Sequence, residues 1–562
     1  MKSWSGAVLA APATLWLLAA FAAPLGVVVL LSLQPGSDPF VKLALSPSVE
    51  QFGAIFADPF YLSVLLKTTL LAVGVCIVTT LLGYPFALWI LSLPARWRPA
   101  AIAIVLIPLL INVVVRSLGI ELLLAPDGLI NDALALFGAP AAKHMLYNYG
   151  AIGIGLVQVF LPLMVLSLYD VLQATSPRVL EAARCLGASR TMQFFTVQLP
   201  LSLPGLRAGL TYVFLMASTT YVSARMLGGK QAWTSGMLVW QDVLENLDAQ
   251  FASAFALVMT LIAIVASLSI ASGVKQLTPW LNGKPGKPWM LPRPVVIAME
   301  AIVPVLARAG FALALLLLLL PLGLVVVQSF NDVPQAAMAG FRHFTLRWYQ
   351  QLFGDRLYFD SFWVSVSLAA GTSVVTVLLA TLAAFAVVRG KFPGKPAVEV
   401  FWMLPLALPQ IAIGLGMLRL LQTFTAVPAF LGLLAVHVTI TLPFCIGLLR
   451  ASVQQLDRSL EDAAANLGAG PVRRIFWVIL PCLAPGLAAA GIVALLLSFE
   501  EVTVTSFLTT ARMTTLPVRI YAEATYSLEP TVFAISSLLI AMTGICLFLL
   551  CRVVPLDRVF SR

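Results

Sequence analysis

The residues able to do bond-making chemistry are few and scattered. The three histidines, His144, His343 and His437, belong to no visible nucleophile constellation. The six cysteines (Cys76, Cys185, Cys445, Cys482, Cys546 and Cys551) lie in or beside apolar runs, and no CxxC or Cys/His spacing points to a metal or a disulfide framework. Gly228-Gly229-Lys230 lacks the GxxxxGK[ST] pattern whose backbone amides cradle nucleotide phosphates. What remains is the chemistry of charge in apolar surroundings. Glu500 and Glu501 stand near the end of one apolar run, and Arg116 stands inside another. A charge at membrane depth costs roughly 2.5–3.5 kcal/mol at the centre, so it persists there with a partner or a role in a solute pathway.

The elements that must position these charges are membrane helices. Of 562 residues, 60% are hydrophobic and 10% charged, which excludes a water-soluble enzyme. Twelve runs are long enough to span, at roughly 20 residues each: 7–33, 63–92, 99–123, 148–170, 203–227, 250–273, 307–329, 361–388, 397–421, 428–449, 484–507 and 529–551. Ala-Phe-Ala at 20–22 resembles a processing site, but the run continues to Leu33, so an uncleaved first span is expected. With the N-terminus inside, 22 of the 34 Lys and Arg fall on inner segments, and the positive-inside rule puts both termini in the cytoplasm. That topology accounts for the net charge of +10, and no nucleic-acid partner is implied. The inner stretch 274–306, with Lys-Pro-Gly-Lys-Pro at 284–288, reads as a linker between halves 1–273 and 307–562.

The halves repeat. Residues 181–210 and 462–491 share 13 of 30 identities without a gap, at an offset of 281. Both copies fall in the inner loop between the fourth and fifth spans of their half, which makes the halves parallel repeats. Ser176, followed by Pro177, and Asp457 are positioned to cap short helices. Val179, Ala182, Ala183 and Leu186 then form one apolar stripe, as do Leu460, Ala463, Ala464 and Leu467. Gly187 and Gly468 end the helices, and Leu199-Pro200 and Leu480-Pro481 are expected to break the helices that follow. Paired alanines suit the close approach of a protein surface better than anchoring in lipid headgroups, which favours large apolar residues.

Glu181-Ala182-Ala183, Gly187 and Leu199-Pro200 resemble the EAA loop of permeases in ATP-binding-cassette (ABC) importers. The second copy, Asp462-Ala463-Ala464, Gly468 and Leu480-Pro481, carries Asp for Glu. The resemblance spans about 62–271 and 361–551 and implies an all-α fold of the type I importer permease, with two six-helix repeats. It also implies that each loop forms a coupling helix seated on one of two cytoplasmic ATPase subunits, and that an extracytoplasmic solute-binding protein delivers the cargo. ATP and magnesium would act on that ATPase, and this chain would bind no cofactor. A twelve-span secondary transporter also has two halves of six. The Gly-Asp-Arg-Gly-Arg type loop common in that class is replaced here by Leu93-Pro94-Ala95-Arg96-Trp97-Arg98.

For the cargo, Ser498 to Thr505, Thr514 to Arg519, Ser329 to Asp332 and Phe344 to Tyr349 look like the second permease of polyamine importers. Tyr221-Val222 and Leu227-Gly228-Gly229 are similar to its partner subunit. Relatives carrying iron(III), aminoethylphosphonate, opines or thiamine remain open. Acidic groups suit a polycation, whereas Arg116, Arg225 and Arg419 suit an anionic group unless they snorkel to headgroups. If the eleventh span is helical throughout, Gly491, Ala494, Ser498, Glu501 and Thr505 share a stripe and Glu500 faces away. Glu501 is then the pathway carboxylate, opposite Thr220 at the repeat offset, with Tyr221, Ser498, Glu500 and Arg116 nearby.

Overall fold

The computed structural model describes residues 4–36, 47–138, 140, 144–276, 293–333, 341–424, 427–510, 513–527 and 529–553. Among them the chain is helical, with only isolated bridges such as Asn331–Phe344 outside the helices. Among the described residues ten helices are long and apolar enough to cross a membrane, and twelve spans result if each of two bent pairs counts as one.

Those bent pairs are the expected third and ninth spans. Ala95–Leu109 turns by 89° into Val113–Leu136, and Lys395–Ala407 turns by 97° into Gln410–Thr423. The physical cause lies in Pro108 and Asn112, and in Pro405 and Pro409. Asn112 accepts the Val114 amide at 2.7 Å and so starts a new helix inside an apolar run. Residues 277–292 of the expected linker 274–306 lie outside the described residues, and 293–306 are helical. Helices reach both edges of that stretch, Ala249–Gln276 before it and Arg293–Gln328 after it.

The repeat is exact in element bounds. Pro177–Cys185, Arg190–Gln193, Phe194–Gln198 and Leu199–Ser218 recur at the same offset of 281 as Arg458–Asn466, Pro471–Arg474, Ile475–Ile479 and Leu480–Phe499. The expected helix breaks at Pro200 and Pro481 do not occur. A π-helical turn precedes each proline and the helix runs on, so the fifth and eleventh spans begin near 190 and 472. Proline lacks the amide an α-helix requires, and widening the preceding turn shifts the donors by one residue.

Earlier in each half the repeat runs at an offset of 297. Pro59–Ser92 matches Arg356–Arg389, each capped by an aspartate, Asp58 or Asp355, that accepts the second amide of its helix at 2.8 Å. The side chain of Thr68 accepts the Ser235 amide at 3.0 Å, and its counterpart Ser365 accepts the Leu516 amide at 2.8 Å.

The first span of each half packs on the other half. Trp4–Ser32 lies along Arg356–Arg389 and Gln410–Thr423, whereas Arg293–Gln328 lies along Pro59–Ser92 and Val113–Leu124. The crossings are tight at glycine. A Cβ on Gly119 would sit 2.4 Å from the Pro321 carbonyl oxygen, and one on its counterpart Gly416 would sit 2.3 Å from that of Pro24. Backbone cannot yield as a side-chain tip can. Gly119→Ala and Gly416→Ala are each expected to destabilise the chain by about 1–3 kcal/mol, measured by thermal unfolding in detergent, with Gly323→Ala, which meets open space, unchanged.

Candidate functional site

Two regions follow from this frame: a pair of loop helices on one face, and a buried seam between the halves.

In the loops, neither Pro177–Cys185 nor Arg458–Asn466 has a buried residue. Glu181 and Ala182 are exposed and Ala183 is half-buried, and Asp462, Ala463 and Ala464 repeat that pattern. Leu186 and Leu467 are each 89% exposed, which leaves the apolar stripes open to a partner. Gly187 and Gly468 both adopt φ of 82°, closing each helix in the left-handed conformation open to glycine. The caps differ from expectation. Ser176 occupies the cap position of the first helix without a side-chain bond, whereas Asp457 accepts the Ser459 amide at 2.9 Å. That amide holds the Asp457 carboxyl below its ordinary range, so the cap is present at neutral pH and is lost only as the pH falls through that lowered value. Leu199 and Leu480 are half-buried and support the loops from the start of the next helix segment. Pro200 is buried there, and Pro481 is exposed.

The seam corrects the helical stripe. The eleventh-span helix ends at Phe499, so no continuous helical stripe carries Gly491, Ala494 and Ser498 on to Glu501, although Ser498 and Thr505 still converge on one side chain, His437. Glu501 instead lies in the turn before Thr505–Leu508, where its carboxylate accepts the Val504 amide at 2.9 Å. The fifth span stops equally early, at Ser218, and Thr220 and Tyr221 lead into Val222–Gly228. Glu500, expected to face away, turns towards the first half. Its carbonyl accepts from Asn112 Nδ2 at 3.1 Å, and its carboxylate is flanked by Asn112 and Thr543 within electrostatic reach of Arg116. Arg116 is only 6% exposed, so it does not snorkel. Its Nε and Nη1 and both Glu500 carboxylate oxygens have no hydrogen-bond partner. Two opposite charges thus share one buried space without direct bonding.

Beside them, Tyr221 and Tyr521 join the halves through their hydroxyls at 2.5 Å, and Tyr221 stacks on Trp240 at 5.1 Å between ring centroids. Arg225 approaches Glu245 at 4.0 Å and Arg419 donates to Gln422 at 3.2 Å, so both have local occupations. His437, isolated in sequence from other candidate groups, is buried between Ser498 and Thr505, with its ring nitrogens 2.8 and 2.9 Å from their hydroxyls. At the repeat offset these three are Leu156, Ala217 and Ala224 in the first half, all fully buried. One half therefore closes this position with a polar triad and the other with apolar packing. The sequence signal for His437 was available only through that comparison. Among the described residues, no cluster of His, Cys, Asp and Glu could hold a metal ion.

A two-fold repeated bundle of membrane helices, with matching exposed loop helices and a polar seam between the repeats, defines a solute permease. The family model described as "Binding-protein-dependent transport system inner membrane component" matches twice, over residues 134–283 and 376–556. The chain belongs to that family and is a multi-pass inner-membrane protein. It is similar to the spermidine/putrescine transport system permease protein PotB of Haemophilus influenzae, 32% identical over 216 residues, covering 38% of this chain and 75% of the relative. PotB of Escherichia coli K12 is 31% identical over 206 residues, 36% of this chain and 75% of that protein. The putrescine transport system permease protein PotI of the same organism is 29% identical over 237 residues, 41% of this chain and 83% of its own.

Proposed function

We propose that the chain is the solute pathway of an ABC importer for polyamines of the putrescine and spermidine class. The observation that carries the transport reading is the duplicated loop helix, exposed in the same geometry at the same place in both family matches. Each helix would seat on one of two copies of a separate cytoplasmic ATPase. Glu181, Ala182, Ala183 and Gly187, with Asp462, Ala463, Ala464 and Gly468, would form the contact. Leu199-Pro200 and Leu480-Pro481 would carry the motion into the fifth and eleventh spans. ATP and magnesium would act on that subunit, because this sequence has no phosphate loop of its own. By the excess of Lys and Arg on these segments, the loops and both termini would lie in the cytoplasm, which would leave the opposite face to a solute-binding protein. Purified chain is expected to hydrolyse no ATP until the ATPase is added; hydrolysis by the chain alone would contradict the assignment.

The relatives named for spermidine and putrescine support the cargo class. The seam is chemically suited to it. Glu500 and Glu501 supply negative charge, and Tyr221, whose ring is covered by Trp240 and Tyr521 while the halves are joined, would offer its face to an ammonium once they part. Thr220 and Ser498 supply hydroxyls. The Tyr221–Tyr521 contact would close the route between the halves. Tyr521→Phe removes one neutral hydrogen bond of about 0.5–1.5 kcal/mol. It is expected to raise ATP hydrolysis in the absence of cargo, which a two-state gate loosened by that amount requires.

One observation favours a second cargo. Arg116, buried beside Glu500, would pair with an anionic group on a zwitterion such as aminoethylphosphonate. Competition for uptake separates the two: excess putrescine should block labelled spermidine, and aminoethylphosphonate should not.

A further inference from the structure

We infer that Arg389 is a positioning residue that clamps the second loop helix to the membrane bundle, so that the two halves transmit motion through unequal arms. Arg389 is the last residue of the Arg356–Arg389 helix. Its guanidinium pairs with the Glu461 carboxylate on the loop helix. It also donates to the Leu456 carbonyl at 3.2 Å, at the end of the Ala429–Gln455 helix, and lies 5.6 Å from the centre of the Phe385 ring. One side chain therefore ties two spans to the loop helix. A planar guanidinium suits this, because its donors point several ways at once. Both partners are largely shielded, at 15% and 22% side-chain exposure, so water and salt weaken the pair less than they would a surface pair.

The first half lacks each part. At the matching offsets Arg389 becomes Ser92, which bonds its own helix at the Trp89 carbonyl, and Glu461 becomes Leu180. Among the described residues, no side chain of Pro177–Cys185 makes a hydrogen bond or ion pair to a span. That helix is joined to its bundle by backbone and packing alone. The inference rests on the coupling role proposed for the loops. On that role, a stiff arm passes displacement to the second half with little loss, and a compliant arm lets the first follow.

The test uses the full chain reconstituted with its ATPase and binding protein, with spermidine as the probe. Arg389→Gln and Glu461→Gln are each expected to lower spermidine taken up per ATP hydrolysed by about three- to tenfold, with ATPase binding retained. The exchanged pair Arg389→Glu with Glu461→Arg should recover most of the loss, and Ser92→Ala should change nothing. A spin label at Leu467 should be less mobile than one at Leu186, and Arg389→Gln should remove the difference. Equal mobility of the two labels in the parent chain would overturn the clamp. Unchanged uptake per ATP in Arg389→Gln would overturn it too, if bulky residues at Ala463 still uncouple transport. If neither change has an effect, the coupling role itself has failed.

Discussion

Tryptophan at Ala182 or Ala463 is expected to abolish ATP-driven uptake and to release the ATPase from the membrane. Both alanines are exposed on helices that bury nothing within the chain, so the change leaves the permease fold intact. The damage falls on a surface in which small side chains permit close approach. Overfilling such a contact costs about 2–4 kcal/mol, the size of an interface hot spot and a thirty- to thousandfold loss of affinity. The second helix should be the more sensitive, because Asp462 reaches less far than Glu181 and leaves the contact a smaller reserve. Co-purification of the ATPase with each variant measures the effect. If both variants retain the ATPase and its cargo-stimulated hydrolysis, the helices are passive elements of the membrane surface.

The other large effect concerns the buried charges. Glu500→Gln leaves Arg116 buried without its counter-charge and should lower the yield of folded chain, and per folded transporter it is expected to lower spermidine uptake by about 30- to 150-fold, because a carboxylate that meets an ammonium away from water is worth roughly 2–3 kcal/mol. Arg116→Met leaves the Glu500 carboxylate buried without its counter-charge and should reduce folded protein more than any other change at the seam. Arg116→Met combined with Glu500→Gln should restore folding, since two neutral groups replace two charges, but not uptake. This pattern separates a pathway charge from a structural pair. A structural pair would regain transport together with folding.

The sequence was informative wherever a physical pattern was local or repeated. Twelve apolar runs, the 181–210 and 462–491 repeat and the glycine-closed loop helices all correspond to elements of the fold. It was uninformative where a helix changes course inside an apolar run. Composition alone cannot show that 99–123 and 397–421 bend near a right angle, although Pro108-to-Asn112 and Pro405-to-Pro409 are the residues that bend them. Glu501 shows how such an error propagates. A period of 100° per residue holds only to Phe499, where the helix ends, so it says nothing of where Glu500 and Glu501 point. The prolines at 200 and 481 misled in the opposite direction, because a π-helical turn absorbs each of them. The crossing of each first span onto the opposite half leaves no local trace except a pair of glycines, Gly119 and Gly416, whose partners lie far away in sequence. The Arg116–Glu500 juxtaposition is likewise a product of tertiary structure, with each charge visible in sequence and only their meeting hidden.

We propose that this chain moves polyamines inward at the expense of ATP hydrolysed by another subunit. Accumulation of labelled spermidine in proteoliposomes containing the chain, its ATPase and its binding protein tests it most directly. Accumulation above the external concentration is expected, requiring enclosed ATP, lost when the ATPase is omitted and blocked by excess putrescine. Accumulation that persists without the ATPase, driven by an imposed ion gradient, would contradict it.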